Sequence, residues 1–315
     1  MILIGLPLFL TGCLNGQPVS KYGFFLDTIV GITIYDMGGS PFEKGKNEED
    51  LLKEAMSRLS DYEKLFSATV SGSDVSRIND SKGREIRISE ETADIIEKAL
   101  YYGELTDGAF DITLYGVSEL WDFTADNSAR PPDSLIEEAM KHVGYEKVAL
   151  RREGESCFVK LLDPECRIDL GGIAKGYIGD RLKEFLIHGG VKSAVINLGG
   201  NVVAIGGKSD GSPFKIAIQK PFSDIGEAYD TLDIIDKSVV TSGSYQRYFE
   251  QDGKIYHHIL DSKTGYPVES GLQSVTIISD KSIDGDALST ACFCLGEEAG
   301  RALLKRIGNV EAIFI

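Results

Sequence analysis

Apolar residues recur along this chain with two periods, and the alternation between them sets the expected elements. From Asn47 to Phe66 the residues Leu51, Leu52, Ala55, Leu59, Tyr62 and Leu65 fall on one helical face, which predicts an amphipathic helix. A second helix is expected to open at Ser89, whose hydroxyl suits an N-cap ahead of Glu90 and Glu91. Its apolar positions Ile95, Ile96, Ala99, Leu100 and Tyr102 run on until Asp107-Gly108 stops it. Asp133–His142, ended by Gly144, and Ala174–His188, closed by Gly189-Gly190, read as further helices. A final helix is expected from about Gly285 to Ile307.

The other apolar runs are short and β-rich. Phe24–Tyr35 reads as β structure before a Gly38-Gly39 turn, and Val148–Leu150 and Cys157–Leu162 as strands about a Glu153-Gly154 turn. Beyond residue 190 the chain is mostly strand: Ser193–Asn197, Val202–Ile205, Phe214–Ile218, Leu232–Ile235, Ser238–Thr241 and Gln273–Ile278. It closes on an apolar strand, Ala312–Ile315, from which a continuation of the natural chain is expected. Helices grouped between strands, without strict alternation, predict an α+β fold. No repeat and no Pro- or Ser-rich linker divides the sequence, so residues 24–315 are expected to form a single domain.

The first residues follow a different logic. Ile2–Leu10 is apolar but far short of the about 20 residues a spanning helix needs, and it has the length of a signal-peptide core. Leu10-Thr11-Gly12-Cys13 is similar to a bacterial lipobox, in which the cysteine is acylated. An ordinary signal peptide, or an apolar start packed in the core, is the alternative. On the lipobox reading residues 1–13 are a lipoprotein signal, 14–23 a flexible tether, and the protein is lipid-anchored at the extracytoplasmic face of a bacterial cell membrane.

Charge narrows the partners. Of 315 residues, 33 are Lys or Arg and 49 are Asp or Glu, a net charge of −16 with no basic run of five or more, which argues against nucleic acid as a partner. The cysteines Cys157, Cys166, Cys292 and Cys294 lack zinc-ligand spacing. Cys157 and Cys166 could pair in an exported protein; buried free thiols are the simpler expectation. Gly numbers 35, above the roughly 7% of average proteins, and clusters where chemistry is expected.

Five segments carry that chemistry. Arg167–Tyr177 (RIDLGGIAKGY) runs a short strand through a double glycine into a helix start, which suits a phosphate or is a plain turn. Asp286 and Thr290 stand at i and i+4, on one helix face, and could hold a hard cation or simply cap. His258, in Tyr256–Asp261, is a candidate base or a structural histidine. Asp111, in Gly108–Thr113, follows a turn, and Thr241–Tyr248 sets hydroxyl residues around Gly243. No G-x-S-x-G elbow supports a serine hydrolase.

The ordered set GAFDIT, IDLGGIAKGY, INLGG, VVTSGSYQRYF, HHILDSKTGYP and DGDALSTA closely resembles the ApbE family of FAD:protein FMN transferases, from about Phe25 to the C-terminus. The resemblance implies a T-fold-related α+β architecture with mixed, mostly antiparallel sheets. It also implies Mg²⁺ as cofactor, FAD as substrate, and transfer of FMN to a Ser or Thr hydroxyl of an acceptor flavoprotein in a respiratory or extracytoplasmic redox system, with release of AMP. It implies Mg²⁺ held by Asp286, Thr290 and the carbonyl of Ala174. FAD contacts are implied at Leu26, Thr69, Ala109, Phe110, Asp111, Gly171, Lys175, Tyr177, His258 and Ile259. Leu26-Asp27-Thr28 stands where relatives read Met-Gly-Thr, and Thr69 where several carry a stacking aromatic residue. His258 is the first candidate for general base and Asp284 the second, with Lys175 neutralising phosphate oxygens. Two other activities stay open: hydrolysis of FAD to FMN and AMP, and flavin binding without turnover by an extracytoplasmic lipoprotein.

Overall fold

The computed structural model describes residues 17–38, 47–123, 125, 128–224 and 226–315, so the signal and lipobox reading, Cys13 included, lies outside the described residues. The chain starts as a hairpin of β1 (Val19–Phe25) and β2 (Thr28–Met37), in register from Val19 opposite Ile34 to Phe25 opposite Thr28. This refines one expectation and corrects another. The β structure read over Phe24–Tyr35 is the end of one strand and most of the next, because Leu26 and Asp27 take φ of 54° and 56°, the positive values a two-residue hairpin turn requires. The tether expected over 14–23 gives way to strand at Val19, where pairing with β2 satisfies the backbone.

Next come α1 (Glu48–Phe66), α2 (Asp74–Asn79), β3 (Ile86–Ile88), α3 (Glu90–Leu105), α4 (Tyr115–Trp121) and α5 (Asp133–Met140). Asn47 caps α1 in a reciprocal capping box with Asp50, and Ser89 caps α3 through Thr92 N–H. β4 (Val148–Glu153) and β5 (Ser156–Leu161) form the expected hairpin, and β3 joins it in a three-stranded sheet. Then follow α6 (Ala174–His188), β6 (Val191–Leu198), β7 (Asn201–Ile205), β8 (Phe214–Gln219), β9 (Ala228–Ile234), β10 (Ser238–Gly243), β11 (Tyr248–Gln251), β12 (Lys254–His257) and β13 (Ser274–Ser279). The chain ends with α7 (Ser282–Leu295), α8 (Glu297–Ile307) and β14 (Glu311–Phe314). The single helix expected over 285–307 is therefore two, broken at Gly296, whose φ of 79° ends α7.

The main sheet has seven strands in the order β1-β2-β6-β7-β10-β13-β14, every neighbouring pair antiparallel. β2 keeps the half-buried alternation, with Val30, Ile32 and Ile34 in the core. β13 has no alternation because it is covered on both faces: all six residues are buried, Ile277 in the main core and Ile278 in the cluster beneath β8 and β9. The helices α1, α6 and α7 pack on one face of the sheet, and the β8–β9 hairpin on the other. A smaller core gathers around Trp121, whose Nε1–H donates to Gly265 O at 2.9 Å. The expected α+β class holds. Cys157, Cys166, Cys292 and Cys294 are free thiols, so the possible Cys157–Cys166 bridge is not formed.

Candidate active site

The site grows from the junction of α6 and α7. Asp169 closes the preceding turn by accepting from Gly171 N–H at 3.1 Å. α6 then runs so close to α7 that a Cβ on Gly176 would lie 2.4 Å from Ser282 O, and only glycine fits. Gly176 N–H donates to Asp286 Oδ2 at 2.8 Å. In return Asp180 accepts from the N–H groups of Ser282 and Ile283, at 2.8 and 3.0 Å. Each helix start is thus satisfied by a carboxylate of the other. Burial outweighs these hydrogen bonds and pushes the Asp180 carboxyl up to about 6.

Asp286 is buried, and among the described residues its second carboxylate oxygen meets no hydrogen-bond donor. Thr290, one turn on, shares a 3.0 Å hydrogen bond with the Ser242 hydroxyl, which also meets Ser289 at 2.8 Å. These donors are all oxygens, the chemistry of a hard cation site. Among the described residues no cluster of three or more His, Cys, Asp or Glu gathers, so a cation here depends on hydroxyl or backbone oxygen as well.

This junction is the floor of a cleft of about 1540 Å³. On its wall the segment after β10 meets the segment after β12. Arg247 O accepts from His258 N–H at 3.1 Å and from its Nδ1 at 3.2 Å. A carbonyl only accepts, so Nδ1 carries the proton and Nε2 keeps its lone pair. Burial, then the positive charge of Arg247, with a smaller push from Lys175, lowers the imidazole to about 3. Lys175 Nζ reaches Gly171 O at 3.4 Å, and both residues line the cleft. Among the described residues, Lys175 and Arg247 are the two lysine or arginine side chains lining this cleft, both within electrostatic reach of His258.

Most residues singled out in the sequence meet here. Leu26, Thr69, Ala109, Phe110, Asp111, Gly171, Ala174, Lys175, His258, Ile259, Asp286 and Thr290 all line the cleft. Leu26 N–H donates to Glu63 Oε1 at 2.7 Å, which holds the hairpin turn at the rim. Asp111, read in the sequence as a turn cap or a ligand contact, caps the turn at the edge of the cleft. Its carboxylate accepts from Thr113 N–H, Thr113 Oγ1 and Tyr145 N–H, so it is committed to shaping the loop. Two residues lie elsewhere. Tyr177 is buried against α1, its ring edge-on to Tyr62 and Phe66, because two positions beyond the cleft-lining Lys175 a helical side chain points to the opposite side. Asp284 pairs with Lys98 at 2.9 Å outside the cleft, since two residues before Asp286 a helical side chain points to the opposite side.

Arg247 and Asp180 were given no role of their own in the sequence, whereas Ser242 is one of the hydroxyl residues read around Gly243. Arg247 and Ser242 sit in the quoted segment VVTSGSYQRYF, where a cation close behind a glycine-hydroxyl turn was the available signal. Asp180 had none, because its partner is more than one hundred residues away.

Residues 26–314 match the sequence model of the ApbE family. A protein of Klebsiella pneumoniae named FAD:protein FMN transferase is 37% identical over 270 residues, covering 85% of this chain and 83% of its own. One of Treponema pallidum with the same name is 34% identical, covering 84% and 76%. Among solved structures, the ApbE protein of Thermotoga maritima superposes with a TM-score of 0.84 at 34% identity, covering 95% of this chain and 94% of its own. The flavin transferase ApbE of Vibrio cholerae does so with 0.80 at 27%, covering 95% and 93%. With its motifs in order, its cleft assembled and its length matched, the chain belongs to the ApbE family.

Proposed function

We propose that this chain transfers the FMN half of FAD to a protein, forming a phosphoester with a Ser or Thr hydroxyl and releasing AMP. The observation that carries the reading is the convergence of His258, Lys175 and the Asp286–Thr290 pair on one cleft around the Gly171-Gly172 turn. The relatives' names support the coarser part of the reading, FMN transfer from FAD to a protein.

The chemistry asks for alignment and charge neutralisation more than for a covalent role of the protein. Asp286 and Thr290, with the Ala174 carbonyl, would hold Mg²⁺. When bound, the ion supplies Lewis-acid neutralisation of the diphosphate and of the departing AMP. Lys175 and Arg247 attract the diphosphate oxygens. The acceptor oxygen bonds to the FMN phosphorus as the bond to the AMP oxygen breaks, and the hydroxyl proton passes to His258 Nε2. Arg247 O holds the imidazole in the tautomer that leaves Nε2 free. An anionic diphosphate beside His258 offsets the two cations that depress it, so substrate binding makes the base stronger.

Hydrolysis of FAD is a second reading, favoured by one observation. Thr69 is exposed at the cleft and hydrogen-bonds Ser67 nearby, so at this position no ring covers the cofactor or excludes water. The proposed location is the outer face of a bacterial cell membrane, through a lipid on Cys13. Its support is the sequence Leu10-Thr11-Gly12-Cys13 and the start of β1 at Val19, a few residues later.

The test is incubation of protein lacking residues 1–13 with FAD and Mg²⁺, with and without a flavoprotein acceptor domain. A mass gain of one FMN on the acceptor supports transfer. Free FMN and AMP with an unlabelled acceptor would replace it by hydrolysis, and unchanged FAD by binding alone.

A further inference from the structure

We infer that the acceptor protein presents its hydroxyl on an extended segment that adds as a strand to the free edge of β8. The inference rests on the transferase reading above. It starts from space: about 1540 Å³ exceeds the roughly 300–1,000 Å³ of a pocket for one small ligand. The residues implied in flavin and diphosphate contact are only part of its lining, which also takes in β8, the turn after it, and Tyr245–Tyr248.

β8 pairs with β9 along its length, from Phe214 opposite Ile234 to Gln219 opposite Ala228, and among the described residues no strand pairs with its other edge. Its side chains alternate: Phe214 and Ile218 are buried, Lys215 and Ala217 exposed. Yet Ile216, Ala217, Ile218 and Gln219 all line the cleft. Four successive residues of an alternating strand border one cavity only when the strand turns its edge, not a face, toward it. That edge offers a row of backbone donors and acceptors without partners in the sheet.

The turn after β8 is built to hold a shape. Gln219 Nε2 donates to Lys220 O at 3.2 Å and Asp224 O at 3.0 Å, and Gln219 Oε1 accepts from Gly226 N–H at 3.2 Å. Phe222 is held at φ 54° and left 44% exposed, a costly conformation for a large side chain. Its ring rests on Tyr248 at 5.5 Å and Tyr245 at 6.1 Å. Tyr248 adjoins Arg247, whose carbonyl orients His258. The end of β8 thus connects by direct contacts to the base, with an aromatic platform between. Main-chain pairing grips a polypeptide whatever its side chains, while the platform takes an apolar one.

The experiment uses full-length protein with FAD and a flavoprotein acceptor domain that the Klebsiella pneumoniae relative labels. For exchange measurements the acceptor's target hydroxyl residue is changed to alanine, so that the complex persists. Saturating acceptor should slow amide exchange across residues 215–219 at least fivefold and leave the outer edge of β9 unchanged. Phe222→Ala should raise the acceptor KM at least fivefold, with FAD affinity within twofold and an unaltered circular dichroism spectrum. Saturated acceptor without protection at 215–219, or an unchanged KM in Phe222→Ala, overturns the added strand while leaving the transferase intact. An acceptor never labelled by the unmutated protein overturns the transferase reading, and this inference with it.

Discussion

The Asp286 carboxylate accepts the Gly176 backbone N–H at 2.8 Å, joining the start of α6 to the first turns of α7. The carboxylate at the heart of the proposed cation site therefore also holds the fold, and two substitutions separate these tasks. Asp286→Asn keeps an oxygen for Gly176 but loses the charge, so it should stay folded and lose Mg²⁺-dependent turnover. Asp286→Ala leaves a buried donor unpaired and should lose about 1–3 kcal/mol of stability as well. Urea unfolding alongside an FMN-transfer assay separates the two, and full activity in Asp286→Asn sinks the cation assignment.

Gly176→Ala tests how close the helices must be. The new methyl would meet Ser282 O at 2.4 Å and Asp286 Cβ at 2.8 Å, forcing α6 from α7. Overpacking of this kind costs about 1–3 kcal/mol, and Mg²⁺ affinity should fall with it. Thermal melts with and without Mg²⁺ check both, and a variant as stable as the parent would contradict the packing described.

His258→Ala should lower turnover by about 10²–10⁴-fold, the usual range for a general base, while FAD affinity changes little. In free protein the imidazole, lowered to about 3, stays neutral through the physiological range. Bound FAD should raise it, because phosphate charge favours the imidazolium. Imidazole NMR titrations with and without FAD would show this, and an identical curve in both would remove His258 from the diphosphate's neighbourhood.

Asp180 gives stability a pH dependence of known sign. Its carboxyl is raised to about 6 in the folded protein from an ordinary 3.8. The folded state thus binds more protons than the unfolded one between these values, and the contribution is full below pH 3.8 and lost as pH rises through 6. Replacing it with asparagine should remove that slope. The stability of the parent relative to Asp180→Asn should fall by on the order of 2–3 kcal/mol between pH 4 and 7. Denaturation at the two pH values measures it, and a difference that grows with pH would refute the assignment.

Thr69→Phe should supply the ring missing at the rim. Ring contact contributes about 0.5–1.5 kcal/mol, so FAD should bind several-fold tighter and its hydrolysis without acceptor should slow. Flavin fluorescence titration and chromatography of free FMN would report both. Unchanged binding would show that the position does not face the ring system.

Local chemistry was legible in the sequence where its causes are local. Asn47 and Ser89 announced α1 and α3 because a cap acts within three residues. Ala174 and His188 marked both ends of α6. The hairpin turn at Leu26-Asp27 escaped notice because neither residue is the glycine or asparagine that usually takes positive φ; a distant carboxylate, Glu63, helps hold it. The short elements α2, β3, α4, β11 and β12 also escaped, being too brief to show a period. At the site, motif order brought together Lys175, His258, Asp286 and Thr290. Tyr177 and Asp284 were misjudged because a motif gives neighbours in sequence, whereas helical rotation decides which of them share a face.

The clamp between Gly176 and Asp286 spans 110 positions of chain. No fragment ending before α7 can build the cleft floor, so whatever settles there recognises only the finished fold. Such a guest acts as a removable staple: by mass action its binding free energy adds to the work of unfolding the whole domain. Resistance to heat or protease should then track occupancy, and a rise in melting temperature would reveal a true occupant before any product is detected.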